Sequence, residues 1–316
     1  SMVLLLPAII GTWFIAGTID FTPGGILAGK ASGWVVGVLL GLYVFGIGKA
    51  AIMPLHFWLP AAMVAPTPVS ALLHAVAVVK AGVFTVVKVI VYIFGIDALQ
   101  ASGAGGWLTY VAGATVIAAS LVALRQDNLK KLLAYSTVSQ LSYVVLAAAV
   151  LAPISVAGAA MHIAAHAVSK ITLFFAAGSI YTAAHKTEVS ELKGIGRRMP
   201  WTMGAFAVGA VSMIGVPPTA GFLGKWFMLT GAIETSQWVV VGVIVLSTLL
   251  NAGYFLPIVV TAFFREPDDN PHAEGHAHGE APWPIVLALT ATAVGTIGLF
   301  CLPSLPLALS NMMLAR

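Results

Sequence analysis

The sequence has very little charge for its length. Only 8% of its 316 residues are Asp, Glu, Lys or Arg, whereas 59% are hydrophobic and the mean hydropathy is +0.99. A water-soluble domain of this composition would expose large apolar surfaces and aggregate. The surrounding solvent is therefore expected to be lipid. The net charge of +4 is small and spread over loops, which argues against nucleic acid as a partner.

Cysteine is almost absent, with Cys301 as the single example. One cysteine excludes a disulfide framework and a thiolate metal site within this chain. The sequence also lacks flavin, iron–sulfur and haem motifs, so we expect no cofactor and no redox chemistry carried out by this chain. The first residues lack the basic segment and small-residue cleavage site of a secretory signal, so we expect no signal peptide.

Long apolar segments without period-2 alternation predict an all-α membrane protein, because backbone polar groups in lipid must be bonded within a helix or a closed barrel. About 20 apolar residues cross a membrane, and clusters of turn residues or charges end a span. Two spans are expected to be discontinuous, one at Pro54 and the other at Pro217 and Pro218. The nine predicted spans are approximately 2–19, 33–64, 69–94, 107–124, 132–150, 154–184, 200–233, 237–264 and 283–310.

Basic residues gather in two loops, 125–131 and 186–198, which are separated by two predicted spans and should lie on one side. Basic loops are typical of the cytoplasmic side. The polar loop 265–282 then falls on that side too. It contains His272, His276 and His278 together with acidic residues, and we interpret it as a solvated connector with weak affinity for divalent ions.

Four lysines within predicted spans lie too far from a helix end to reach the membrane surface easily: Lys49, Lys80, Lys170 and Lys225. An ammonium group at the middle of a bilayer costs at least ~2.5 to 3.5 kcal/mol, so each of these lysines indicates a functional site. The alternative is a static partner for a carboxylate or a carbonyl, but the predicted spans contain almost no Asp or Glu. Because desolvated lysines titrate readily, we favour a role in transport.

His162, His166 and Lys170 recur at i, i+4 and i+8 and therefore share one helix face. Imidazole exchanges protons near neutral pH, so this face is suited to pass protons toward a lysine. A single membrane histidine is more often a packing residue, and a metal site is less favoured because no carboxylate follows at ligand spacing. Both predicted helix breaks lie about one to two turns from a lysine, where exposed carbonyls can hold ions or water.

The segment 48–75 carries a family resemblance. It reads GKAAIMPLHFWLPAAM and continues to PTPVSALLHA. This segment resembles the signature of the antiporter-like subunits of respiratory complex I, membrane-bound hydrogenases and Mrp-type sodium/proton antiporters. Segments 129–143, 162–170 and 215–225 resemble three further blocks of that family, in the same order. The resemblance covers nearly the whole chain.

The resemblance implies an inverted-repeat bundle with a row of proton-carrying side chains. Lys49 and His74 would belong to a first half-channel, and Lys225 to an exit half-channel on the second broken helix. His162, His166 and Lys170 would form the central connection. Lys80, in the motif VVKAGV, resembles the Mrp and hydrogenase branches and favours an Mrp-type antiporter subunit, of the kind called D or A.

One departure from the family pattern concerns Lys49. Family members pair this lysine with a glutamate on an earlier helix, whereas no glutamate precedes Lys49 here. Nine spans also match only the later part of the family's usual helices. The chain is therefore expected to be N-terminally incomplete, with the earlier helices removed or present on another chain.

The expected function is proton translocation within an Mrp-type Na+/H+ antiporter in the inner membrane of a bacterium. Residues 1–316 would form one proton-conducting domain that assembles with other integral membrane subunits. The first alternative is a proton-pumping subunit of complex I or a membrane hydrogenase, driven by a redox module elsewhere. The second alternative is a scaffold whose lysines only register helices in an assembly.

Overall fold

The fold is all-helical over residues 2–266 and 279–314, which are the residues that this computed structural model describes. Within these ranges there are helices, short helical turns and loops but no β-strand, as predicted. The main helices are α1 (Met2–Ala16), α2 (Gly33–Gly46), α3 (Thr67–Phe94), α4 (Gly106–Leu124), α5 (Leu129–Ala149), α6 (Pro153–Ala184), α7 (Pro200–Ile214), α8 (Ala220–Glu234), α9 (Trp238–Phe264), α10 (Trp283–Cys301) and α11 (Ser304–Leu314).

All nine predicted spans contain helix in the structure. Six helices of the described ranges are individually long and apolar enough to cross a membrane, namely α3, α4, α5, α6, α9 and α10. The remaining main helices, α1, α2, α7, α8 and α11, are shorter than the spans predicted for them, in most cases because a break divides the span. The chain is therefore a multi-pass membrane protein. In lipid, a helix satisfies the hydrogen bonds of its own backbone N–H and C=O groups, so several apolar helices of this length can each cross the membrane.

The first predicted interruption is confirmed. After α2 ends at Gly46, the chain makes a single 3-10 turn, Gly48–Ala50, and regular α-helix resumes only at Trp58. Pro54 lies in the intervening loop, where its missing N–H removes no helical hydrogen bond. The indole Nε1 of Trp58 donates a hydrogen bond of 3.0 Å to the carbonyl of Gly48 and so connects the two sides of the break.

The second predicted interruption is also confirmed, between α7 and α8. α7 ends at Ile214, and Gly215 follows with a φ of 90°, which a residue with a side chain rarely adopts. Pro217 and Pro218 then prevent the helix from continuing, because they lack backbone N–H groups.

The prediction of one continuous helix for the last span is wrong. Residues 283–310 were expected to form a single helix, but the structure divides them into α10 and α11. α10 ends at Cys301 and α11 begins at Ser304. Pro303 between them cannot donate the next helical hydrogen bond and disfavours helical conformation at the residue before it.

α5 lies at the centre of the bundle and is almost entirely buried. The longest helix, α6, has 32 residues, and the broken pair α7 and α8 packs along it in the opposite direction. Two of the contacts are hydrogen bonds between hydroxyl groups and two are close approaches of a glycine. The four pairs, in order, are Thr202 with Ser179, Ser212 with Ser169, Gly224 with His162, and Gly231 with Ser155.

The two basic loops lie on the same side, as predicted. The backbone N–H of Leu129 donates to the carbonyl of Thr187 at 2.9 Å, and the N–H of Val189 donates to that of Asp127 at 2.7 Å. The Glu280 carboxylate accepts hydrogen bonds from Thr202, near the start of α7, so the end of loop 265–282 is on this side as well. His272, His276 and His278 lie outside the described residues.

Candidate functional site

The structure buries six of the seven side chains predicted to carry protons. Each has 7% or less of its surface exposed: His74, Lys80, His162, His166, Lys170 and Lys225. The buried residues of the described ranges include no Asp or Glu. A positive charge on any of these side chains must therefore be stabilised by neutral groups, which is unusual for charges removed from water.

Lys80 and His166 form the first contact of the site. Lys80 is on α3, and its Nζ is hydrogen-bonded to Nδ1 of His166 on α6. An ammonium group has no lone pair, so Nδ1 is the acceptor when Lys80 is charged, and the imidazole proton is then on Nε2. Nε2 of His166 is buried and has no hydrogen-bond partner among the described residues.

His166 is followed along α6 by His162, one helical turn away. The centroids of the two rings are 6.2 Å apart. Nε2 of His162 lies 2.9 Å from Oε1 of Gln140 on α5. The amide of Gln140 in turn donates a hydrogen bond of 3.3 Å to the carbonyl of Met213 at the end of α7. The histidine pair is thus connected to the second helix break.

Lys225 lies on the other side of that break. Its Nζ donates hydrogen bonds of 2.9 Å to the carbonyls of both Met213 and Ile214. These carbonyls are available because α7 ends there, and the last turn of a helix has a partial negative charge that favours a cation. Nζ is also 5.0 Å from the centroid of the Tyr143 ring, which adds a cation–π contact.

These contacts form one continuous array, which we call the lysine–histidine row. It contains four titratable side chains and one amide that joins them to the break. In spatial order its members are Lys80, His166, His162, Gln140 and Lys225. Gln140 belongs to a segment that resembles the family, but no role was predicted for it. Gln140 is the only residue of α5 with a side-chain amide, and a single amide in a membrane helix is the sequence feature that indicates a functional role.

Lys170 lies beside the row rather than within it. Its Nζ donates to Oγ of Ser136 at 2.5 Å and to the carbonyl of Leu133 at 3.4 Å, both on α5. The Phe255 ring centroid is 5.6 Å from the same nitrogen. The predicted shared face of His162, His166 and Lys170 is therefore buried, but the Lys170 ammonium is held by α5.

His74 occupies a locally widened part of α3. Residues Leu72–Val76 form a π-helical turn, a feature that is frequent at functional sites. Both ring nitrogens of His74 are buried without a hydrogen-bond partner among the described residues. The ring lies 5.4 Å, between centroids, from that of Phe174 on α6.

Lys49 differs from the other predicted residues because its side chain is exposed. It lies in the 3-10 turn Gly48–Ala50 next to the first break, where its backbone packs against Gly82 of α3. The structure does not bring its ammonium group into the lysine–histidine row. Its role in a first half-channel stays a prediction.

The described ranges contain no group of three or more His, Cys, Asp or Glu side chains placed to hold a metal ion. Lys170, His162 and Lys225 are instead bonded to hydroxyl, amide and backbone oxygen atoms. The arrangement can hold and exchange protons, because each lysine or histidine can bind one proton and its neighbours stabilise that charge.

Comparison with protein families gives a match over most of the chain. The family model described as NADH:quinone oxidoreductase/Mrp antiporter, TM, matches residues 1–251. The chain belongs to this family. All seven predicted proton-pathway residues lie within the matched range, and the predicted resemblance to the NADH:quinone oxidoreductase/Mrp antiporter family is confirmed.

Both branches of the family are represented among relatives. NADH-quinone oxidoreductase subunit N of Desulforudis audaxviator is 39% identical over 240 residues, which are 73% of this chain and 46% of that protein. The A/B subunit of a probable K(+)/H(+) antiporter of Rhizobium meliloti is 37% identical over 243 residues, which are 74% of this chain and 24% of that protein. The chain thus spans less than half the length of either relative.

A solved structure shows the same fold. A chain of the Mrp complex from Dietzia sp. superimposes with a TM-score of 0.84 at 24% sequence identity. The match covers 99% of this chain and 65% of that one. The antiporter-like bundle predicted from the sequence is confirmed by this similarity.

Proposed function

We propose that this chain is a proton-translocating subunit of a multi-subunit Mrp-type antiporter that exchanges Na+ for H+. The lysine–histidine row supports this proposal most directly. It places four titratable side chains in sequence through the interior of a membrane bundle, between α3 and the break at 215–219. Intramembrane ionisable groups of this kind are typical of proton relays.

In the proposed mechanism a proton passes from Lys80 through His166 and His162 to Lys225. Lys225 then releases it on the far side of the second break. His74 and Lys49 would deliver protons to the start of the row, and Lys170 would form a side connection through α5. Each proton transfer changes the charge of one side chain and thereby changes the proton affinity of the side chains next to it. The proton affinities of the groups are therefore coupled.

The same charges exclude the row as a path for Na+. Two unit positive charges 4 Å apart repel each other by about 4 kcal/mol at an effective dielectric constant of 20. The buried part of the described ranges also contains no carboxylate to offset this repulsion. We therefore propose that the exchanged cation crosses through other residues or another subunit.

A second candidate is a proton pump of the NADH-quinone oxidoreductase type, in which a redox module elsewhere drives the same row. The 39% identity to a subunit N supports it. A third candidate is a scaffold that moves no ions. In that case loss of a buried lysine would weaken assembly without changing the flux of the complexes that form.

The partners proposed for this chain are other integral membrane subunits in a bacterial inner membrane. The similarity to a chain of an Mrp complex supports this, as does the bacterial origin of the two relatives named above. Purification of the native complex in mild detergent identifies the branch. Small multi-spanning subunits are expected for an antiporter, and iron–sulfur and flavin subunits for a redox pump.

Proton flux in liposomes that contain the purified complex tests the function. We expect Lys225→Ala and Lys170→Ala each to reduce flux at least tenfold, whereas the exposed Lys131→Ala leaves it unchanged. Flux within twofold of wild type in both buried variants, at equal complex content, would overturn the proposal. Dependence of the flux on an imposed Na+ gradient supports the antiporter, and dependence on NADH and quinone supports the pump.

A further inference from the structure

A second group of buried polar side chains lies next to the lysine–histidine row, and it is uncharged. Ser247, Asn251 and Tyr254 recur on α9 at i, i+4 and i+7, so they occupy one face of a largely apolar helix. At most 4% of each side chain is exposed. A polar face that points into a membrane bundle, away from lipid, needs polar partners.

Helices α4 and α5 supply part of those partners. The hydroxyl groups of Ser120 on α4 and Ser139 on α5 are 2.9 Å apart. The Tyr254 hydroxyl donates to Oδ1 of Asn251 and lies near the Ser120 hydroxyl. We call Ser120, Ser139, Tyr143, Ser247, Asn251 and Tyr254 the neutral cluster.

The neutral cluster has more hydrogen-bonding capacity than its members use. Nδ2 of Asn251 and Oγ of Ser247 have no partner among the described protein atoms, and the same holds for Oγ of the neighbouring Ser142. Buried groups of this kind are commonly bridged by water, which binds where two to four polar atoms converge. The cluster therefore has the chemistry of a water-binding site.

Tyr143 joins the neutral cluster to the row. Its ring lies 5.0 Å from the Lys225 ammonium and 6.0 Å from the His162 ring, measured to centroids. Its hydroxyl points the other way, donates to the carbonyl of Ile244 at 3.2 Å, and has the Ser247 hydroxyl nearby. One side chain thus contacts both polar systems.

The far end of the cluster is close to a membrane surface. Ser120 is four residues before the end of α4 at Leu124, a distance of about 6 Å along the axis. The loop that follows is the first of the two basic loops. The cluster consequently extends from the side with the basic loops toward Lys225 at the second break.

We propose that the neutral cluster binds a short chain of water molecules and supplies protons to Lys225 from the side with the basic loops. This inference rests on the proposed function. Each water or hydroxyl group accepts one proton and passes one on, so it ends unchanged, and the neutral amine of Lys225 becomes an ammonium. The branch needs no charged residue of its own, and it adds no fixed positive charge beside the buried lysines.

Variants that keep packing but remove polar atoms test the branch. Tyr143→Phe keeps the ring beside Lys225 and removes only the hydroxyl, and Asn251→Leu removes the amide. We expect each to lower proton flux at least fivefold in liposomes that contain the whole complex. The matched control is Thr296→Val, because Thr296 is equally buried but its hydroxyl is bonded to the Thr292 carbonyl of its own helix.

The outcomes separate this inference from the proposed function. If Tyr143→Phe and Asn251→Leu stay within twofold of wild type while Lys225→Ala abolishes flux, the branch is wrong and the function stands. If Lys225→Ala also has no effect, both are overturned. Radiolytic labelling of the wild-type complex needs no variant. We expect oxidation of Tyr254 by bound water and none of the buried Phe206, whereas an unlabelled Tyr254 would contradict hydration of the cluster.

Discussion

Lys80 and His166 are separated by 86 residues in the sequence and are hydrogen-bonded to each other inside the bundle. The contact ties α3, which carries the π-helical turn, to the long helix α6. It also fixes the orientation of the His166 ring, with Nδ1 toward the lysine. The proton of a neutral His166 is then on Nε2, which has no other partner among the described residues.

A double-mutant cycle on this pair checks whether the two residues act together. We expect Lys80→Met and His166→Leu each to reduce proton flux at least tenfold. The double variant should be no worse than the more severe single variant, because the second change removes a group whose partner is already lost. Effects that multiply would contradict a shared step, and flux is measured at equal complex content.

Gln140 provides the second prediction. Gln140→Leu keeps the volume but removes the bridge between His162 and the Met213 carbonyl. It leaves Nε2 of His162 buried without a partner, whereas the Met213 carbonyl keeps its bond from Lys225. We expect proton flux to fall at least tenfold with a modest loss of thermal stability. Gln126→Leu is the control, since Gln126 is half-buried and its side chain donates only to the carbonyl of Val122 on the preceding helix α4. Equal effects of the two variants would count against the bridge.

The close contact at the start of α8 gives a prediction about stability. A Cβ atom on Gly221 would lie 1.9 Å from the carbonyl oxygen of Ser212, so Gly221→Ala must push α8 away from α7. We expect a loss of about 1 to 3 kcal/mol or more in the free energy of unfolding. Gly242→Ala is the control, because nothing lies within 4 Å of its added methyl group. Denaturation of the purified variants, followed by tryptophan fluorescence, measures the difference.

Lys49 provides the fourth prediction. Because its side chain is exposed and outside the row, we expect Lys49→Ala to alter flux only when the helices predicted to precede it are present. Flux is compared between wild type and variant in complexes with and without those helices. An equal effect in both contexts would show that Lys49 acts independently of a partner on them.

Much of this architecture could be predicted because lipid simplifies the physical problem. Apolar length alone locates the spans, and Gly215, Pro217 and Pro218 identify the second break through backbone chemistry. The burial of Lys170 and Lys225 follows from the same logic. Lipid is a poor solvent for an ammonium, so a lysine in the middle of a continuous span is expected to face the bundle interior.

The partners of these lysines could not be predicted, since they depend on how helices pack. Nothing local links Lys80 to His166, or Gln140 to the carbonyl of Met213. The neutral cluster was not predicted for a related reason. Single Ser and Asn residues are common in membrane helices, so one of them alone does not indicate a functional site. Its signal was the spacing of Ser247 and Asn251 along one face. The division of the last span does have a sequence signal, Pro303, which acts through the same backbone chemistry as the prolines of the second break.

The contacts between the broken span and α6 contain a shift in register. From Thr202 to Ser212 is ten residues, and their partners Ser179 and Ser169 are also ten apart. On the other side of the break, Gly224 to Gly231 and His162 to Ser155 both cover seven residues. Across the break the counts differ, because the twelve residues from Ser212 to Gly224 lie opposite only seven from Ser169 to His162.

The surplus of five residues equals the length of the break, 215–219. Those residues therefore add almost nothing to the height of the span, and the chain makes a sideways detour while both halves stay aligned with α6. The carbonyls at the end of α7 that bind Lys225 therefore sit at a depth set by α6, whose seven residues opposite the break cover about 10 Å. The protein thus obtains a cation ligand pair at mid-membrane without lengthening the span or thinning the bilayer around it.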